Sequence, residues 1–240
     1  TSAPIDLWSA PTSQTRIEKD KYDATFVPFY RTTQVIVTAP NVPSFNYTIH
    51  RDELDGPVEQ TFSGVFRKDI FQRIFSLQSG IMEITAKVGK RTIGVKDVCF
   101  IPLDPDVKEC ALISPFQWFQ NDEDAVDLVV TDNRNGHNAT YLEHIYRCVS
   151  SPLETADGSF NTMSCLTSFF GPAQVNIALG GYSDKGDPLL ADAIVMSLPL
   201  NNHLNETENA DAEAWEAEFI EYMKGCSDPD IELAFQAERS

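Results

Sequence analysis

Between Phe66 and Ala86 the apolar residues Ile70, Ile74, Leu77, Ile81 and Ile84 recur at intervals of four, three, four and three. This spacing lays them along one face of a helix, the strongest periodic signal in the chain. Around it stand strand-like segments. In "QVIVTAP", residues 34–40, Val35, Ile36 and Val37 are β-branched, and Pro40 ends the ladder because it has no N–H to donate. "TIGVKDVC" (92–99), "AQVNIALGGY" (173–182), "LADAIVMSLPL" (190–200) and "DIELAFQAE" (230–238) also read as strands, the middle two separated by the turn signal "SDKGDP". Further helices are expected over 12–26, over 111–120 with an interruption at Pro115, over 141–149, and over about 207–224.

Without a polar excursion at 41–64, the order is strand, helix, strand, then strand, helix, strand. This predicts an α+β fold with a ferredoxin-like βαβ-βαβ core and a long insertion from about 100 to 190. With 240 residues, 42% of them hydrophobic, the chain suits one compact domain over 1–240, and no short unit repeats.

Thirty-six acidic against eighteen basic residues leave a formal charge of −18. Such a field repels phosphate backbones and anionic lipid, so no nucleic-acid partner is expected. The acids are scattered and read mostly as solvated surface, with an acidic docking face as the sharper alternative.

Asn46-Tyr47-Thr48, Asn138-Ala139-Thr140 and Asn205-Glu206-Thr207 satisfy the N-glycosylation rule, which favours a lumenal or extracellular route. The cysteines agree. Cys99 and Cys110 bracket a Pro/Asp-rich loop, Cys148 and Cys165 a second loop, and local pairing is the simplest reading, with Cys226 left as a free thiol. The longest apolar run, "AIVMSLPL", is too short to cross a bilayer, and no signal peptide opens the chain. An ectodomain excised from a membrane protein is the expectation.

Catalytic signatures are missing. His50, His137, His144 and His203 show no metal spacing, and neither a nucleophile elbow nor a phosphate loop occurs, so no cofactor and no enzyme activity are expected. Cys226 lies at the negative end of a helix, which disfavours a thiolate nucleophile.

"IDLWSAPTSQTRIEKDKYDATFVPFYRTTQVIVTAP" (5–40), "VKDVCFIPLDP", "QWFQND", "ALGGY", "LPLNNHLNETE", "AEAWEAEFIEYMK" and the closing "AERS" follow one another in an order that resembles the middle lumenal domain of the Niemann-Pick type C cholesterol transporters. The resemblance spans nearly the whole chain, and its two disulfide pairs match the cysteine intervals. It implies a porter-type ferredoxin-like domain, held over a late endosomal or lysosomal membrane by flanking helices outside this chain. Its implied partners are the soluble Niemann-Pick type C sterol carrier and other lumenal domains of the parent, and its implied role is the hand-over of cholesterol. The intestinal sterol-uptake paralogue, at the plasma membrane, and a Patched-type sterol-sensing receptor are the alternatives.

The resemblance also implies two protruding loops, which filoviruses use as a receptor site in homologues. "SFNYTIHRDE" (44–53) resembles the first, with Phe45, Asn46, Tyr47, Ile49 and His50 as contact residues and the aromatics as exposed anchors. "RNGHNA" (134–139) takes the place of the second, with Asn135, Gly136 and His137 where mammalian members carry an aromatic pair. That departure implies a weaker or rearranged carrier contact and argues against filovirus use. His50 and His137 would charge below about pH 6.5, adding a local pH response.

Overall fold

The computed structural model describes residues 10, 12–26, 29–50, 56–131, 136–158, 160, 162–182 and 186–238. It is a mixed α+β structure with one four-stranded antiparallel sheet and three small hairpins. The main helices are α1 (Gln14–Phe26), α2 (Lys68–Met82), α3 (Tyr141–Ser150) and α4 (Ala210–Gly225).

Strand β1 (Arg31–Thr38) lies at the centre. It pairs antiparallel with β9 (Ala193–Leu200) from Arg31–Leu200 to Thr38–Ala193, and on its other side with β10 (Glu232–Gln236). A two-residue strand, β8 (Leu179–Gly180), flanks β9. Alternation in β1 sends Arg31, Thr33, Val35 and Val37 inward. Helices α2 and α4 cover that face: Gln78, Ile81 and Met82 of α2 and Phe219 of α4 meet Thr33, Val35, Met196 and Leu198 around an internal cavity of about 10 Å³.

The periodicity of 66–86 is realised in α2, which buries Ile70, Phe71, Ile74, Phe75 and Ile81. Its start is crowded. Gly64, just upstream, lies so close to the 39–42 turn that a Cβ there would stand 2.1 Å from the Val42 carbonyl oxygen. Near the other end, the Trp215 indole N–H of α4 donates to the Ile84 carbonyl at 3.1 Å.

Several expectations change. The 92–99 segment touches the main sheet only at its end, where Cys99 bridges Leu200 of β9: β5 (Arg91–Gly94) closes a separate hairpin with β4 (Thr85–Val88), and a 3₁₀ turn follows at Val95–Asp97. The expected ferredoxin-like sheet is therefore not formed by all four predicted strands. "AQVNIALGGY" supplies a single helical turn at Val175–Ala178 before β8. The 111–120 helix is a 3₁₀ turn, Pro115–Phe119.

The insertion supplies core of its own. Phe116, Trp118, Phe119 and Phe160 are fully buried, and Phe116 lies 4.8 Å from Phe71 and 4.5 Å from Phe75, ring centre to ring centre. These aromatic contacts merge the insertion with the α2 side of the core. The disulfides are local: Cys99–Cys110, and Cys148–Cys165, which ties α3 to the loop that follows it. Among the described residues, no helix is long and apolar enough to cross a membrane.

Candidate interaction site

The polar excursion is a β-hairpin. Strand β2 (Phe45–Ile49) pairs with β3 (Val58–Phe62), running from Phe45–Phe62 to Ile49–Val58. The apolar residues at every second position of β2 share one face, and that face turns inward. Phe45 stacks on Phe62 with ring centres 5.8 Å apart, Tyr47 meets Phe62 edge-on at 6.4 Å, and Ile49 is 2% exposed. These three side chains are not presented as free anchors, and the expectation that they project is corrected. Burial outweighs exposure because each brings apolar area that the hairpin would otherwise leave wet. Asn46 faces outward, its side-chain oxygen accepting a hydrogen bond from the Thr61 hydroxyl at 2.8 Å.

The second loop closes on the same hairpin. Short strands β6 (Val130–Thr131) and β7 (Asn138–Ala139) pair, and the Thr131 hydroxyl donates to the exposed Asn138 side chain at 2.9 Å. Gly136 has φ of +72°, a left-handed conformation natural to glycine. Asn135, a predicted contact, lies outside the described residues, as do 51–55 and 132–134.

Two contacts join the loops. His50, at the end of β2, stacks on His137 with ring centres 4.1 Å apart and planes within 8°. Below them, the Tyr47 hydroxyl donates to the Glu143 carboxylate at 3.1 Å and lies 3.2 Å from the Thr140 hydroxyl. Thr140 and Glu143 form the capping box of α3: the Thr140 N–H donates to Glu143 at 2.8 Å, and the Thr140 hydroxyl accepts from the Leu142 N–H. Burial pushes the Tyr47 phenol above its ordinary range; the Thr140 bond opposes this, and the Glu143 charge and hydrogen bond add to it. Sequence reasoning placed neither Thr140 nor Glu143 in the site. The Thr-x-x-Glu spacing ahead of an apolar helix is the signal that marks them.

The remaining predicted residues are spread out. Asn205 is exposed and caps a 3₁₀ turn, Glu206–Asn209, by accepting from the Thr207 N–H at 3.2 Å. Cys226 is a free thiol; burial raises its pKa, and its hydrogen bond to Tyr222 opposes the shift. One trio of potential metal ligands, His144, Cys148 and Cys165, comes together among the described residues. Its sulfurs are already joined to each other, so it offers no thiolate for a metal.

A family model described as "NPC1, middle luminal domain" matches residues 19–239. The chain belongs to the NPC1 middle luminal domain family. It is 38% identical over 241 residues to "NPC intracellular cholesterol transporter 1" of Sus scrofa, covering 100% of this chain and 18% of that protein. It is 34% identical to "NPC1-like intracellular cholesterol transporter 1" of Homo sapiens, and 29% identical to "NPC intracellular cholesterol transporter 1 homolog 1b" of Drosophila melanogaster, each match covering 100% of this chain and 18% of the relative. The chain thus spans about a fifth of the length of these NPC1-family relatives, which are named for cholesterol transport.

Proposed function

We propose that this domain is the lumenal docking module of a sterol transporter, receiving the soluble Niemann-Pick type C sterol carrier so that cholesterol passes to the rest of the transporter. It acts by binding, with no bond made or broken on it. The compartment is the late endosome or lysosome, and the membrane is reached through segments outside this chain. The observation that carries the reading is the junction of the two loops: the His50–His137 stack and the Tyr47–Glu143–Thr140 clamp make one continuous surface of two separate chain segments.

Family membership supports the transporter context, and the inward-facing aromatics alter how docking works. Phe45, Tyr47 and Ile49 set the shape of the hairpin from within, and contact falls to its outward face, to His50 and to Gly136 and His137. Asn46, Asn138 and Asn205 are read as glycan acceptors. The first two are exposed. His50 and His137, stacked face to face, are read as the local pH-responsive pair of the site. If His50→Ala with His137→Ala leaves the pH dependence of carrier binding unchanged, that response is absent.

The test of the docking reading is a pull-down with sterol-loaded carrier at acidic and neutral pH, with residues 44–50 and 134–138 each exchanged for unrelated loop sequence. Capture by the parent domain and loss with either exchange support it; capture unaffected by both exchanges refutes it.

A further inference from the structure

Beneath the second loop, His144 of α3 is fully buried, and both of its ring nitrogens face acceptors. Nε2 lies 2.8 Å from the Trp118 carbonyl oxygen, which can only accept, so Nε2 carries a proton. Nδ1 lies 3.0 Å from Oδ2 of Asp157, itself 2% exposed. A hydrogen bond at that contact needs a second proton, either on Nδ1 beside an ionised Asp157 or on the Asp157 carboxyl. In both forms the pair holds one proton more than a neutral imidazole and a free carboxylate.

The surroundings sharpen the demand. Phe160 stacks on the ring at 5.0 Å, Phe119 meets it edge-on at 5.2 Å, and Cys148 Sγ lies 3.5 Å from Nε2. The other charged groups on the packed elements have partners elsewhere. On α3, Glu143 bonds Thr140 and Tyr47, and Arg147 pairs with Glu154. Across from the helix, Glu123 bonds Ser76 and Ser79, Asp127 pairs with Lys68, and Asp187 accepts from Gln60; Asp124 is exposed. No charged residue lies on Pro115–Phe119.

We propose that the proton shared by His144 and Asp157 is an acid-strengthened lock on the disulfide-bridged insertion, holding α3 against the Trp118 turn and the 151–171 loop. Without that proton, the Nδ1 lone pair faces a carboxylate in an aromatic enclosure closed to water, and the contact turns repulsive. Because α3 begins at the capping box that holds Tyr47, the lock also sets the base of the loop junction. It stands whether or not the loops bind a carrier.

The sign follows from proton counting. Where the folded chain holds a proton that the unfolded chain has released, stability rises as pH falls, by up to about tenfold in the folding constant per pH unit. The test is amide hydrogen exchange of the 240-residue chain at pH 5.0 and 7.5, corrected for intrinsic rates, with ¹⁵N shifts of the His144 ring. We expect Tyr141–Ser150 to be better protected at pH 5.0, by up to about tenfold. Asp157→Asn should erase that difference, because its amide N–H can donate to the Nδ1 of a neutral imidazole. Equal pH dependence in parent and Asp157→Asn overturns the proposal. Should the variant not fold, ring shifts of a neutral His144 beside an ionised Asp157 at pH 5.0 in the parent overturn it alone.

Discussion

The Arg31 guanidinium grips the Glu216 carboxylate at two points, 3.0 and 2.7 Å, with the Glu216 side chain fully buried. This joins the first residue of the central strand to the middle of α4. Burial opposes the Arg31 charge, and the hydrogen bonds and negative charge of Glu216 overcome it. A buried pair is costly to break from one side, because the surviving partner keeps its desolvation penalty. Glu216→Gln is expected to lower stability by about 3 kcal/mol or more in urea unfolding. The double replacement Arg31→Met with Glu216→Leu should recover most of that loss.

Tyr47 gives a prediction at the loop base. Tyr47→Phe keeps the ring against Phe62 and removes the hydrogen bond to Glu143, so stability should fall by about 1.5 kcal/mol. The phenol also sets an alkaline limit. Its folded-state pKa is raised by burial, so its contribution is complete below about pH 10, the unfolded value, and is lost as pH climbs through the folded value. Tyr141, buried with its hydroxyl donating to the Phe66 carbonyl at 3.0 Å, is shifted the same way. Absorbance titration at 295 nm should show these two among the late-ionising tyrosines, and Tyr47→Phe should shrink the late fraction.

Gly64 tests close packing. The Val42 carbonyl occupies the space a side chain would need, so Gly64→Ala must displace the 39–42 turn or the start of α2. A loss of about 1–3 kcal/mol is expected from thermal or chemical unfolding. Gly136→Ala should cost less, since nothing lies within 4 Å of the added carbon and only the left-handed backbone resists it.

The Cys148–Cys165 bridge spans 17 residues, and removing it by paired Cys→Ala replacement should lower stability by about 3 kcal/mol. Exchange protection should fall first in α3 and the 151–171 loop, which the bridge joins.

Helix α2 was legible because its apolar residues keep a helical period over about four turns, and β1, β9, α3, α4 and β10 were legible for similar reasons of period and length. The β2–β3 hairpin carried its own evidence in Phe45, Tyr47 and Ile49 at every second position, but the interleaved Asn46, Thr48 and His50 made a half-buried strand resemble a loop. "AQVNIALGGY" has the β-branched residues of a strand, yet only Leu179 and Gly180 find a partner in β9, so propensity yields to tertiary pairing. Of the candidate site, the two loops and both histidines were legible through family resemblance. Their stacking was not, nor was the 13-residue reach from His144 to Asp157, because both depend on how distant segments pack.

Calorimetric titration of the domain with sterol-loaded soluble carrier at acidic pH reads the proposed two-loop docking surface without an intermediary. Saturable binding is expected of the parent domain, abolished by exchanging either 44–50 or 134–138 alone. Binding of undiminished affinity after both exchanges would contradict it.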